Sequence, residues 1–174
     1  MYLSKYLKIG VLLIILCSLI SCGVYSFKNT IIPDNVKTVH INLFTNKARY
    51  INPQVGPKIT DALVQQINNQ TKLTLTDDNN ADYQISGYIS GYDVTTSGIG
   101  STTGTQTASM NRLVVTFHLI WVDATKNNKK QEFNVTQNFD FSSNLSLQEA
   151  EVSLMSDIVK NVSESIFNDI FGNW

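Results

Sequence analysis

Asn111-Arg112-Leu113-Val114-Val115-Thr116-Phe117-His118-Leu119-Ile120-Trp121-Val122 runs for twelve residues without a glycine or a proline. Leu113, Val115, Phe117, Leu119 and Trp121 share one face at period two, and Val114, Thr116, His118, Ile120 and Val122 share the other. This is the strongest strand of the chain. Both faces are largely apolar, so the pattern predicts a strand covered on both sides.

Working outward, Asp123 to Lys130 is a polar turn, and Phe133, Val135, Phe139 and Phe141 mark a returning strand with an irregularity expected near Gln137. Ser146-Leu147-Gln148-Glu149 has the form of a capping box, in which serine and glutamate satisfy each other's backbone donors. Ala150, Leu154, Ile158, Val162, Ile166 and Ile170 follow at spacing four, the stripe of a helix of about 25 residues, roughly 37 Å long. On the upstream side, Tyr83 to Val94 reads as a strand whose Gly87 and Gly91 imply a bulge or strong twist. Between the two strands, residues 97–109 form a Gly/Ser/Thr-rich stretch expected to be a loop, flexible or functional.

Further upstream, a short strand passes through Leu73 and Leu75 and stops at Asp77-Asp78-Asn79-Asn80. Val55, Ile59, Leu63 and Ile67 line a helix opened by Asn52-Pro53, or starting only after Pro57, and lasting to about Asn69. Val36 to Phe44 alternates as a half-buried strand with Val39, Ile41 and Leu43 on one face. The element order is read as β-α-β-β-β-α, with one long meander of antiparallel strands. The expected architecture is a two-layer α/β sandwich of α+β class, its two helices on one face of a four-stranded, mostly antiparallel sheet.

The amino terminus sets the compartment. Lys5 and Lys8 precede an apolar run from Ile9 to Leu16, and Leu19-Ile20-Ser21-Cys22 closes it. That is the charged, apolar and small-residue order of a secretory signal, and it resembles the lipobox of bacterial lipoproteins. The run is too short for the roughly 20 residues that span a bilayer. The resemblance implies removal of residues 1–21 and an N-acyl diacylglycerol, palmitate-type modification on Cys22. About three acyl chains would anchor the protein stably. Residues 22–35 are then a lipidated tether and 36–174 one domain. Gly23-Val24-Tyr25-Ser26-Phe27 contains no acidic residue and so resembles neither the inner-membrane retention signal nor the surface-export signal of bacterial lipoproteins, which implies the periplasm-facing leaflet of the outer membrane.

Composition narrows the function. Without its two signal-region lysines the chain keeps eleven of 13 basic residues against 14 acidic ones, a net charge of −3. No basic surplus marks a nucleic-acid binder. Cys17 lies in the signal and Cys22 is blocked by lipid, so no thiol remains for disulfide, metal or redox chemistry. His40 and His118 lie on separate strands and read as hydrogen-bonded strand histidines. Asp77, Asp78 and Asp82 are the only carboxylate group worth weighing as an acid/base or cation site, and an ordinary turn explains them. There is no nucleophile, metal or acid/base constellation, so the expectation is a non-enzyme without cofactor. The surfaces left to consider are the sheet face opposite the helices, the loop bearing Lys47 and Arg49, and residues 97–109.

With these parts assembled, the chain resembles the LptE family of lipopolysaccharide-assembly lipoproteins in its Bacteroidetes form. The likeness is carried by Cys22-Gly23-Val24-Tyr25-Ser26-Phe27, Ile32-Pro33-Asp34-Asn35-Val36-Lys37-Thr38 and Asn52-Pro53. It continues through Asn69-Gln70-Thr71-Lys72-Leu73-Thr74-Leu75 and Gly87-Tyr88-Ile89-Ser90-Gly91-Tyr92-Asp93-Val94 to Asn111-Arg112-Leu113-Val114-Val115 and Ile166-Phe167-Asn168-Asp169-Ile170-Phe171-Gly172-Asn173-Trp174. The resemblance implies a plug for an LptD-type outer-membrane β-barrel that helps insert lipopolysaccharide into the outer leaflet. Because lipopolysaccharide is anionic, Lys47, Arg49 and Arg112 are the residues expected to contact it. The rival readings are a scaffolding or ligand-binding lipoprotein of another envelope complex, and an acidic hydrolase.

Overall fold

The computed structural model describes residues 32–102 and 105–172, with backbone alone between 98 and 109. Its strands are β1 (Thr38–Ile41), β2 (Thr45–Asn46), β3 (Thr74–Leu75), β4 (Tyr83–Thr102), β5 (Thr105–Asp123) and β6 (Lys129–Ser142). The helices are α1 (Val55–Gln70) and α2 (Leu147–Phe171), and a single 3₁₀ turn, Ala124–Lys126, joins β5 to β6. The class is α+β, as expected, with both helices on one face of a mixed sheet.

The sheet has six strands rather than four, in the order β3-β1-β4-β5-β6, with β2 also beside β4. β4, β5 and β6 form the antiparallel meander. β1 runs parallel to both β3 and β4, and β2 parallel to β4. One strand beyond the four is the two-residue β3, the short strand read through Leu73 and Leu75. The other arises because Val36–Phe44 does not continue as a single strand. Past Ile41 the chain swings inward, so Phe44 is buried and its N–H donates to Thr60 Oγ1 at 3.0 Å. Leu43, expected in the core, is left 64% exposed.

The core lies between helices and sheet. Leu113, Val115, Phe117 and Leu119 of β5 meet Ile59, Leu63 and Ile67 of α1 and Ile158, Val162 and Ile166 of α2, all fully buried. Each such side chain contributes about 1.5–3 kcal/mol. The Phe117 ring lies edge-on to Phe44, with centroids 4.8 Å apart. It also occupies the space a Cβ on Gly87 would need, 2.5 Å from Phe117 Cε1. Gly87 is therefore a packing requirement. The bulge expected at the glycines is found at Gly91, where the register shifts after Ile89, and further shifts lie between Thr96 and Ile99.

Helix α2 has the capping box read from Ser146 and Glu149. α1 begins at Val55 with Gln54 as cap, so Pro57 sits inside its first turn, where a missing N–H costs nothing. Asn52 acts one step earlier, its side chain accepting from Gln54 N–H at 3.0 Å. β6 runs in unbroken register with β5. The irregularity expected near Gln137 is absent: Gln137 faces α2 and its amide donates to Ser165 Oγ at 2.8 Å. Residues 97–109 are no loop either. Their described part continues β4 and β5 as a paired hairpin, from Gly98 opposite Met110 to Thr102 opposite Thr105.

Candidate functional site

The sheet face opposite the helices is the surface that the fold leaves uncovered. Alternation along β5 sends Arg112, Val114, Thr116, His118, Ile120 and Val122 to it, all half-buried. Register then decides its character. Val114 lies between Asp93 and Asn138, Ile120 between Ser86 and Glu132, and Val122 between Gln84 and Lys130. The second face is therefore not the apolar surface that β5 alone predicts, and no further layer of the described chain covers it. Polar neighbours on β4 and β6 shield each apolar side chain instead.

Across the middle of this face runs a line of polar and aromatic groups. Lys47 Nζ sits 4.3 Å above the centre of the Tyr88 ring, a contact of about 0.5–1 kcal/mol at an exposed site. The Tyr88 ring lies 5.2 Å from that of His118. His118 Nδ1 is hydrogen-bonded to Asn134 Oδ1 at 2.9 Å, and its Nε2 lies 3.4 Å from Glu132. Lys130 Nζ meets Glu132 at 2.6 Å and holds that carboxyl below its ordinary range. The line offers a cation, hydrogen-bonding groups and a ring face, and no nucleophile.

The three expected contact residues are not brought together. Lys47 is at the middle of the face. Arg112 pairs across from Thr95, seven residues along β4 from Tyr88, roughly 23 Å away at 3.3 Å per residue. Arg112 is also committed: Nε and Nη2 donate to the two Asp140 oxygens at 2.7 and 2.9 Å. That pairing raises the guanidinium pKa and lowers that of Asp140. Arg49 is exposed, with no ion pair among the described residues. Cys22 lies outside the described residues.

A buried carboxylate supports the basic loop, one that the sequence analysis did not single out. Glu151, only 6% exposed, accepts from Tyr92 Oη at 2.7 Å, Asn52 Nδ2 at 2.9 Å and Tyr50 Oη at 3.0 Å. Tyr50 also stacks on Tyr92 at 5.6 Å. Burial, then the bond to Glu151, raises the pKa of both tyrosines, so they remain donors. The second turn of α2 thus pins the segment that follows Lys47 and Arg49. Glu151 neighbours Ala150 of the apolar stripe, and only that adjacency hinted at burial.

Of the carboxylates weighed for chemistry, Asp82 and Asp78 are used structurally. Asp82 Oδ2 accepts from Lys37 N–H at 2.8 Å, Thr38 N–H at 3.0 Å and Thr38 Oγ1 at 3.0 Å, tying the 76–82 crossover to the start of β1. The bond from Lys37 N–H, foremost among these, lowers its pKa. Asp78 Oδ1 caps its own turn through Asn80 N–H at 2.9 Å. His40 bonds Thr76 O and Asn42 Oδ1. No group of three or more metal-ligating side chains occurs among the described residues, and no described helix is long and apolar enough to cross a membrane. An open groove of about 740 Å³ separates the outer sides of α1 and α2, with Lys58, Asp61, Gln65 and Met155 on its walls.

The described chain is thus a two-layer α+β domain with an open sheet face on which polar neighbours flank each apolar side chain. Similarity to known proteins makes this specific. The chain belongs to the LptE lipopolysaccharide-assembly family, whose model matches residues 36–170. It is thereby a lipoprotein of the cell envelope serving lipopolysaccharide assembly, in a family that is not enzymatic. Among solved structures it is similar to a protein from Xanthomonas campestris, at 8% identity and a TM-score of 0.53, covering 78% of this chain and 84% of that one. A minor lipoprotein from Acinetobacter baumannii matches at 13% identity and a TM-score of 0.48, covering 79% and 94%. The rare lipoprotein B from Shewanella oneidensis matches at 11% identity and a TM-score of 0.48, covering 75% and 92%. No curated protein sequence matches the chain.

Proposed function

We propose that this chain, lipidated at Cys22 and held at the periplasmic leaflet of the outer membrane, plugs an LptD-type β-barrel and assists both its assembly and the insertion of lipopolysaccharide. The observation that carries the reading is the family match across nearly the whole folded domain, residues 36–170, placed behind a lipobox-like amino terminus. A role through surfaces fits a domain whose Asp82, His40 and His118 are occupied by internal hydrogen bonds. Lys47, held above Tyr88, and the exposed Arg49 are the cations able to meet an anionic glycolipid. Arg112 is the weaker candidate, because its charge is already paired with Asp140, which accepts from Nε and Nη2.

The test is co-purification of the full-length tagged protein from detergent-solubilised outer membranes, with its partners identified by mass spectrometry. A stoichiometric large β-barrel of the LptD type is the expected result. Recovery of soluble envelope proteins alone overturns the plug and leaves a scaffolding lipoprotein. A Cys22→Ser variant should lose membrane attachment in the same fractionation.

A further inference from the structure

The loop that carries Lys47 and Arg49 alternates in exposure. Lys47, Arg49 and Ile51 are exposed, whereas Ala48 is buried and Tyr50 and Asn52 are half-buried. Each inward residue is tied down. Ala48 N–H donates to Asn46 Oδ1 at 2.9 Å, and Asn46 Nδ2 closes the loop on Asn52 O at 3.3 Å. Lys47 N–H donates to Ile89 O of β4 at 2.9 Å, which fastens one end of the loop to the sheet. At the other end, Tyr50 and Asn52 reach Glu151 of α2. Arg49 lies between these fastenings. With Ala48 and Tyr50 turned inward on either side of it, its side chain is left facing outward, two positions from Lys47.

Glu151 is a costly group with which to fasten a loop. Its three partners, Tyr50, Asn52 and Tyr92, are all neutral, and no cation pairs with it among the described residues. Withdrawing a charge from water is unfavourable unless hydrogen bonds replace the lost hydration. Apolar packing of similar volume often serves stability as well or better. What such packing cannot supply is direction. Glu151 Oε1 accepts from Tyr92 and Asn52, and Oε2 accepts from Tyr50, so one carboxylate fixes the loop against both β4 and α2. Hydrogen bonds to an ionised acceptor are also the stronger class. The stacking of Tyr50 on Tyr92 holds the plane of the loop's tyrosine as well.

An anion gains most from cations already in place, because ordering a mobile loop on binding subtracts from affinity. We propose that Glu151 is a positioning residue for anion binding: through Tyr50 and Asn52 it holds the loop in the conformation that presents Lys47 and Arg49 together to an anionic glycolipid. The inference rests on the reading of Lys47 and Arg49 as glycolipid contacts and adds what makes them a preformed pair. Charge and positioning here predict opposite signs. A carboxylate near two cations weakens their pull on an anion, so by charge alone its removal tightens binding. Loss of positioning weakens it.

Full-length lipidated protein in detergent is titrated with fluorescently labelled lipopolysaccharide at a temperature where the variants are folded. Glu151→Ala is expected to raise Kd at least about fivefold, and Tyr50→Phe to raise it by less. Glu151→Gln keeps an oxygen for Tyr92 and Asn52 and should stay close to the unaltered Kd. Ile166→Ala removes a fully buried side chain roughly 22 Å along α2 from Glu151 and should leave Kd unchanged. In protein carrying Lys47→Ala and Arg49→Ala, Glu151→Ala should have no further effect. Tyr50→Phe, which keeps the ring on Tyr92, carries the same test should Glu151→Ala not fold. Unchanged or tighter binding by Glu151→Ala overturns the proposal. So does an equal loss in Ile166→Ala, or an equal loss with and without the two cations. If the unaltered protein binds no lipopolysaccharide, or binds as tightly once Lys47 and Arg49 are alanine, the contact reading falls and takes the positioning role with it. Recovery of the barrel by co-purification tests the plug reading separately.

Discussion

The two faces of β5 bear side chains of similar apolar character and meet different fates. Leu113, Val115, Phe117 and Leu119 lie under α1 and α2 and are fully buried, whereas Val114, Ile120 and Val122 stay partly open to water. What separates them is the company supplied by register. The covered face of β4 and β6 brings Ile85, Ile89, Val135 and Phe139; the open face brings Ser86, Gln84, Glu132 and Asn138. A strand's own pattern thus states its capacity for burial, and its neighbours determine whether that capacity is used.

The contrast can be broken most forcefully from the covered side. Phe117→Ala removes the ring packed on Phe44 and over Gly87, and should cost about 3–5 kcal/mol in urea denaturation. Glu151→Ala strips the acceptor from three donors and should cost roughly 3 kcal/mol. The same change should raise proteolytic cleavage between Lys47 and Asn52, because the loop loses its tie to α2.

A third experiment tests the edge between the faces, where Asp82 holds β1. Asp82→Asn should cost about 1–2 kcal/mol at neutral pH. The folded pKa of Asp82 is lowered, so its contribution is complete above the unfolded carboxylate range and disappears as pH falls through the folded value. The difference between D82N and the unaltered protein in urea midpoint should therefore shrink on acidification. The smallest effect belongs to the open face. Ile120→Thr should change stability by under about 1 kcal/mol, and a loss as large as that of Phe117→Ala would show that this face is covered after all.

Elements with a long, regular signal were legible in advance. The capping box and spacing-four stripe of α2 match the observed helix, and α1 and the β4–β5–β6 meander lie where their periodicity placed them. The misreadings cluster where local composition competes with long-range pairing. Gly, Ser and Thr at 97–109 are common in loops, yet their backbone groups pair across the hairpin. Leu43 obeyed the alternation of its strand on paper, but the hydrogen bond from Phe44 N–H to Thr60 reverses the phase after Ile41. Of the expected contact residues, charge alone marked Lys47, Arg49 and Arg112; it could not reveal that Asp140, 28 positions away, occupies Arg112.

By itself the sequence determined the two helices, the buried faces of β5 and β6 and the α+β class, because these follow from periodicities of two and near four within short windows. Tertiary structure alone decided that β1 lies parallel to β4, that polar neighbours shield the second face of β5, and that Tyr50, Asn52 and Tyr92 converge on Glu151. Each of these joins residues tens of positions apart, and such contacts form only when burial of the whole core offsets the entropy of closing the chain between them.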